Sequence, residues 1–240
     1  ALRRVQVSAL TTGQVVALTT GQVVALETAD VQAMSTAQVV AFTSTQIAAL
    51  GTDQVSALTS AQVSTLTTGQ VLALTSAQVG ALETLDVKAL TSAQAGVLTS
   101  VQVSALGTQQ VSVLGTLQVG ALSTLGVRAL STDQIAALTS VQVSVLSTGQ
   151  ILALTSVQVG GLETVDVQVM STAQVWALTS VQASALGTSQ VVALTSTQVV
   201  ALNTAAVRAL TSDQVAALTS VQVSALTTGQ VVALTTGQVV

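Results

Sequence analysis

Three pairs of carboxylates share the spacing Glu-Thr-x-Asp: Glu27 with Asp30, Glu83 with Asp86, and Glu163 with Asp166. They are the candidate reactive groups of this 240-residue chain. Hard cations such as calcium want several carboxylate or carbonyl oxygens, so each pair is a weak candidate for a cation contact between neighbouring units. Paired acids also serve in hydrolysis, but nothing in the surrounding sequence builds a substrate pocket. The simpler reading places each pair at the start of a helix, where negative charge complements the helix dipole. Histidine, cysteine, tyrosine and proline are all absent. That excludes zinc and haem sites of ordinary type, and Ser-His and Cys-His catalysis with them. The expectation is a protein that is not an enzyme and holds no cofactor.

The elements that carry these acids repeat every eight residues. The word Leu-Thr-Thr/Ser-x-Gln-Val-x-Ala starts at Leu2, Leu10, Leu18 and Leu26 and keeps its frame through Leu226 and Leu234. Position one is otherwise only Met34, Phe42 or Met170. Position three is Thr or Ser except at Arg4. Position five is Gln except at Asp30, Asp86, Asp166, Gly126 and Ala206. Position six is Val, replaced only by Ile47, Ile135, Ile151, Ala95 and Ala183, and position eight is mostly Ala. Positions four and seven carry most of the variation. A fixed short period of this kind marks a stack of units, each leaning on its neighbours.

One continuous helix does not fit this period. Eight residues overshoot two turns by about 80°, so the Leu stripe would spiral around the axis. A helix must break and restart in each octad, and the word holds a start signal. Thr at position two and Gln three residues later match the capping box, and Leu at position one with Val at position six matches the hydrophobic staple. Ser, Gly and Asn replace Thr there as acceptable caps. In the octads with Glu27, Glu83 and Glu163, the following Thr28, Thr84 or Thr164 is expected to take over as cap. The sequence thus predicts an all-α solenoid of very short capped helices, each of about two turns. The alternative is a β-solenoid, because Val and Thr favour strands and Val-x-Ala alternates. Against it, no octad position demands the Gly, Asn or Asp that tight corners require. Leu at position one and Val at position six are the expected core, with Ala at position eight where backbones approach.

A lone octad cannot fold. Burying its Leu and Val stabilises by roughly 3–6 kcal/mol, against about 12 kcal/mol for ordering eight residues. Longer periods lie above the octad. Thr-Ser-Val-Gln-Val/Ala-Ser begins at Thr99, Thr139, Thr179 and Thr219, a step of five octads. The twenty residues from Val5 to Val24 recur unchanged as Val221 to Val240. The expectation is a single continuous repeat domain over 1–240, cut from a longer array.

Nine acidic and five basic residues leave a net charge of −4, which opposes binding to phosphate backbones. Lys88, Arg128 and Arg208 at position seven are expected to balance the acids along one exposed line. Half of the residues are apolar, yet Thr, Ser and Gln interrupt every unit, so no apolar run reaches a membrane span. The opening Ala-Leu-Arg-Arg has no apolar signal-peptide core. Trp176 and Phe42 are isolated aromatics for which ordinary packing or groove filling is the expected role.

Runs such as Leu18-Thr-Thr-Gly-Gln-Val-Val-Ala-Leu26 and Leu210-Thr-Ser-Asp-Gln-Val-Ala-Ala-Leu218 resemble the LTxxQVxAL repeats of very large bacterial surface and secreted, adhesin-like proteins. The resemblance covers essentially the whole chain. It implies an extracellular or cell-surface location, export in an unfolded state and no catalytic residues. The same word is similar to the opening helix of transcription-activator-like effector repeats, but this chain lacks their long period, proline and base-reading loops. The functions expected are a structural repeat forming a fibre, stalk or filament with copies of itself, or an adhesin or scaffold whose variable positions meet a surface ligand.

Overall fold

The structure is a computed structural model that describes residues 4–239. Arg3 at position two of the first octad and Val240 at the end of the repeated segment lie outside the described residues. Among the described residues thirty α-helices follow one another, from α1 (Arg4–Ser8) to α30 (Thr236–Val239), one in each octad. There is no strand among the described residues, so the all-α reading holds and the β-solenoid does not.

The helices are shorter than the two turns expected: four to six residues, about one and a half turns. The reason lies at positions one and two. In α10 (Ser76–Ala81), the residue before the helix, Thr75, is extended (φ −71°, ψ 160°), and Leu82 after it is again non-helical (φ −58°, ψ 139°). Two non-helical residues in each octad swing the chain into its next helix. No described residue has a positive φ. The corners therefore need no glycine, which is why no octad position is reserved for one.

The described chain falls into two compact units, one ending at Ala129 and the other beginning at Leu130. Within each, helix n packs against helix n+3. Examples are α10 against α13 (Ser100–Ser104) in the first and α22 (Thr172–Trp176) against α25 (Ser196–Ala201) in the second. The core is a line of side chains from positions one, five and six, while two, three, four and seven lie outside or near the surface. Leu and Val are inside as expected. Ala at position eight is mostly half-buried. Its carbonyl approaches an earlier coil: a Cβ on Gly80 would lie 2.9 Å from the Ala105 oxygen, and one on Gly160 would lie 3.1 Å from that of Ala185.

The dependence of each unit on later ones is visible in position six. Val207 is 1 % exposed, whereas Val223 and Val231, with no later coil of this chain above them, are 49 and 53 % exposed. An octad thus hides its own valine only when the octads of the next coil lie over it.

Candidate structural site: the buried glutamine ladder

The residue that builds the solenoid is the glutamine at position five. Gln78 shows how. Its Oε1 accepts the Thr75 N–H at 2.7 Å, while the Thr75 hydroxyl accepts the Gln78 N–H at 3.2 Å. This is the capping box foreseen from the sequence, and it satisfies two orphan donors of α10. The amide does more than that. Gln78 Nε2 donates to the carbonyls of Ile47 at 2.9 Å and Leu50 at 2.7 Å, which are 31 and 28 residues earlier. These carbonyls end the helix four octads back. One side chain therefore starts its own helix and finishes another.

The pattern recurs in both units. In the first, Gln94 reaches Val63 and Leu66, and Gln102 reaches Val71 and Leu74. In the second, Gln182 reaches Ile151 and Leu154, and Gln222 reaches Val191 and Leu194. A primary amide offers two N–H donors and a carbonyl oxygen with two lone pairs. Both donors are used, and where Thr43, Thr99 or Thr179 caps, its hydroxyl fills the second lone pair. A fully satisfied amide can be buried at little cost. Gln78 and Gln94 are accordingly 2 % exposed. The sequence shows the capping half and leaves the second role of glutamine unread. The near-invariance of position five, departed from as rarely as the core Val, was the signal of its burial.

Where the cap residue is glycine, half of the box survives. Gly51 and Gly107 donate their N–H to Gln54 and Gln110 at 2.8 and 2.6 Å, and Gly115 donates to Gln118. The missing side chain opens a cleft between successive coils. Three such recesses measure about 550, 620 and 350 Å³ and lie at Gly51, Gly107 and Gly115. The first is lined by Glu27, Thr28, Thr52 and Asp53.

Two octads have no side chain able to bridge at position five. In one, Asn203 at position two compensates. Its Oδ1 accepts the Ala206 N–H at 2.8 Å, and Nδ2 donates to the carbonyls of Trp176 at 2.9 Å and Leu178 at 3.0 Å. In the other, Ser123 caps Gly126. The side chain of Val103 lies 3.3 Å from where a Cβ on Gly126 would stand. Hydrophobic packing there takes the room of the glutamine.

The acid pairs are split by the fold. Glu27, Glu83 and Glu163 occupy position two and are exposed, whereas Asp30, Asp86 and Asp166 take the glutamine place and are buried. The glutamates themselves are the residues before the helices. Thr28, Thr84 and Thr164 do not take over as caps, because each is already the first helical residue. The Asp N–H donates to the Glu backbone carbonyl instead, at 2.9 Å for Asp30 and 3.0 Å for Asp86 and Asp166. In two pairs the aspartate returns the bond, Glu27 N–H to Asp30 at 3.0 Å and Glu163 N–H to Asp166 at 3.1 Å. Desolvation raises the pKa of Asp86 and Asp166, partly offset by hydrogen bonds from Ser60 and Ser140. Lys88 is exposed. It and the buried aspartates do not form the single exposed line of balanced charge expected. Among the described residues no group of three or more acidic side chains comes together to hold a metal ion. Phe42 is a core residue as expected, but Trp176 is 64 % exposed at position seven and does not fill the core.

The ALTTAQ repeat matches residues 23–60, 79–116, 111–148, 119–156, 159–196 and 196–228, well over half of the chain. The chain belongs to the ALTTAQ repeat family. Five of the matches open on a position-six valine: Val23, Val79, Val111, Val119 and Val159. Those five matches therefore share one frame with the structural octads. No curated protein matches this chain. No helix among the described residues is long and apolar enough to cross a membrane.

Proposed function

We propose that this ALTTAQ repeat chain is a structural element of an extracellular fibre or stalk, in which stacked octads set length and copies of the chain pack side by side, without catalysis. The glutamine ladder carries the reading. It gives successive octads the same attachment to the coil beneath, so that the variable positions four and seven, among those at the surface, face outwards again and again. Those positions are apolar to an unusual degree. Leu85, Leu117 and Leu125 in the first unit and Val141, Val157 and Val181 in the second all stand at position four and are exposed. Small apolar contacts repeated at fixed spacing sum into strong association. The similarity of the octads to the LTxxQVxAL repeats of large surface proteins supports an extracellular setting, and the acidic balance argues against nucleic acid as a partner.

Light scattering and electron microscopy on the purified chain test this. Fibres or bundles that grow with concentration are expected. Replacing Leu117, Leu125, Val141 and Val157 with Thr should disperse them without changing helix content. A rod that stays monomeric at high concentration would reject the proposal in favour of a scaffold that presents positions four and seven to another molecule.

A further inference from the structure

Asp86 occupies a place built for an amide that donates two hydrogen bonds, and a carboxylate donates none. It lies on α11 (Thr84–Ala89), which packs against α8 (Ser60–Thr65) and α14 (Thr108–Ser112). Asp86 is 3 % exposed. Its Oδ1 accepts the Ser60 hydroxyl at 2.7 Å, while Oδ2 is buried with no hydrogen-bond partner. In the sister octads the Glu27 and Glu163 N–H groups donate to the aspartate at 3.0 and 3.1 Å, whereas the Glu83 N–H is near enough to hold the Asp86 pKa down a little but closes no capping box with it. The carbonyls of Val55 and Leu58, 31 and 28 residues earlier, stand at the two registers that glutamine Nε2 serves in other octads. An orphaned acceptor thus stands where other octads place a donor, an arrangement that costs free energy until a donor is added. A proton is the smallest donor, and it needs no extra room at a buried atom.

We propose that Asp86 is an acid-strengthened joint of the solenoid: on protonation its carboxyl O–H supplies the coil-to-coil hydrogen bond that glutamine supplies elsewhere. The charged neighbours favour this. On its own helix, Glu83 repels the carboxylate, while Lys88 lies exposed at position seven. Neither α8 nor α14 carries a titratable side chain, and α7 (Thr52–Ser56), which contributes the Val55 carbonyl, carries Asp53 at its exposed position four. Burial raises the pKa of Asp86 above the ordinary 3.8. The folded chain then holds this proton more tightly than the unfolded chain. The contribution is complete below 3.8 and fades as pH rises through the folded value. Asp166 is the internal control, since its Oδ2 already accepts the Glu163 N–H.

The test follows the carboxyl carbons of the aspartates by NMR in the full chain while pH is raised from acid to neutral, alongside amide hydrogen exchange. Asp86 should titrate above Asp166 and above exposed Asp53. Intrinsic-rate-corrected protection of the α7, α8 and α11 amides should rise about threefold or more from pH 7 to pH 4.5. In Asp86→Gln the protection should be high at both values, and Asp86→Asn offers a smaller change should the first variant misfold. Titration of Asp86 together with the exposed aspartates would overturn the proposal, and this readout needs no variant. Protection at pH 7 by added calcium, present in the native chain and lost in Asp86→Gln, would overturn it too, by assigning the carboxylate to a cation.

Discussion

Replacing Gln78 by alanine is the sharpest trial of the ladder. The side chain makes three connections: one from the Thr75 N–H at 2.7 Å and two to the carbonyls of Ile47 and Leu50 at 2.9 and 2.7 Å. Each is worth about 1 kcal/mol net when formed, and leaving a buried group unpaired costs about 1–3 kcal/mol. The Ile47 carbonyl retains the Leu50 N–H at 3.2 Å, so its loss is partial. Thr75 and Leu50 lose more. Together with the cavity, the expected cost is about 3–5 kcal/mol, concentrated on the coils that Gln78 joins. Gln78→Glu keeps the acceptor but turns a buried donor into a charge that faces two carbonyl oxygens. It should cost at least as much at neutral pH and recover part of the loss in acid. Hydrogen exchange reads these effects locally, which suits an array whose coils open separately. The control is Gln22→Ala, because Gln22 is exposed and its hydrogen bonds stay within its own helix start. That change should cost about 1 kcal/mol, the value of a lost cap. Equal losses at Gln78 and Gln22 would refute the claim that glutamine joins coil to coil.

Four further outcomes are expected. Asn203→Ala should destabilise its octad by about 2–4 kcal/mol, and adding Ala206→Gln with threonine at 203 should restore protection in exchange experiments, because the ordinary ladder is rebuilt. Gly80→Ala places a Cβ 2.9 Å from the Ala105 carbonyl and should lower stability by about 1–3 kcal/mol in thermal unfolding. Gly69→Ala meets nothing closer than 3.9 Å and should raise it by up to about 1 kcal/mol. Leu114→Ala removes a core side chain that is 4 % exposed and should cost about 2–5 kcal/mol in the same assay.

Much of this molecule is written in one octad. The period excluded a continuous helix through the geometry of 3.6 residues per turn. Thr and Gln three apart placed each helix start, because a capping box is a local arrangement of one hydroxyl, one amide and two backbone N–H groups. Leu and Val at positions one and six declared the core. What lay beyond the sequence was the second use of glutamine. Its Nε2 bonds join residues 28 and 31 apart, and only the coiling of the chain brings those carbonyls within reach. The same geometry divides each acid pair, which looks like two equivalent carboxylates three residues apart. Tertiary packing leaves Glu83 in water and takes Asp86 into the core, because position five points at the coil beneath while position two faces outwards. Local chemistry chose the helix, and the free energy of satisfying buried carbonyls chose how one coil sits on the next.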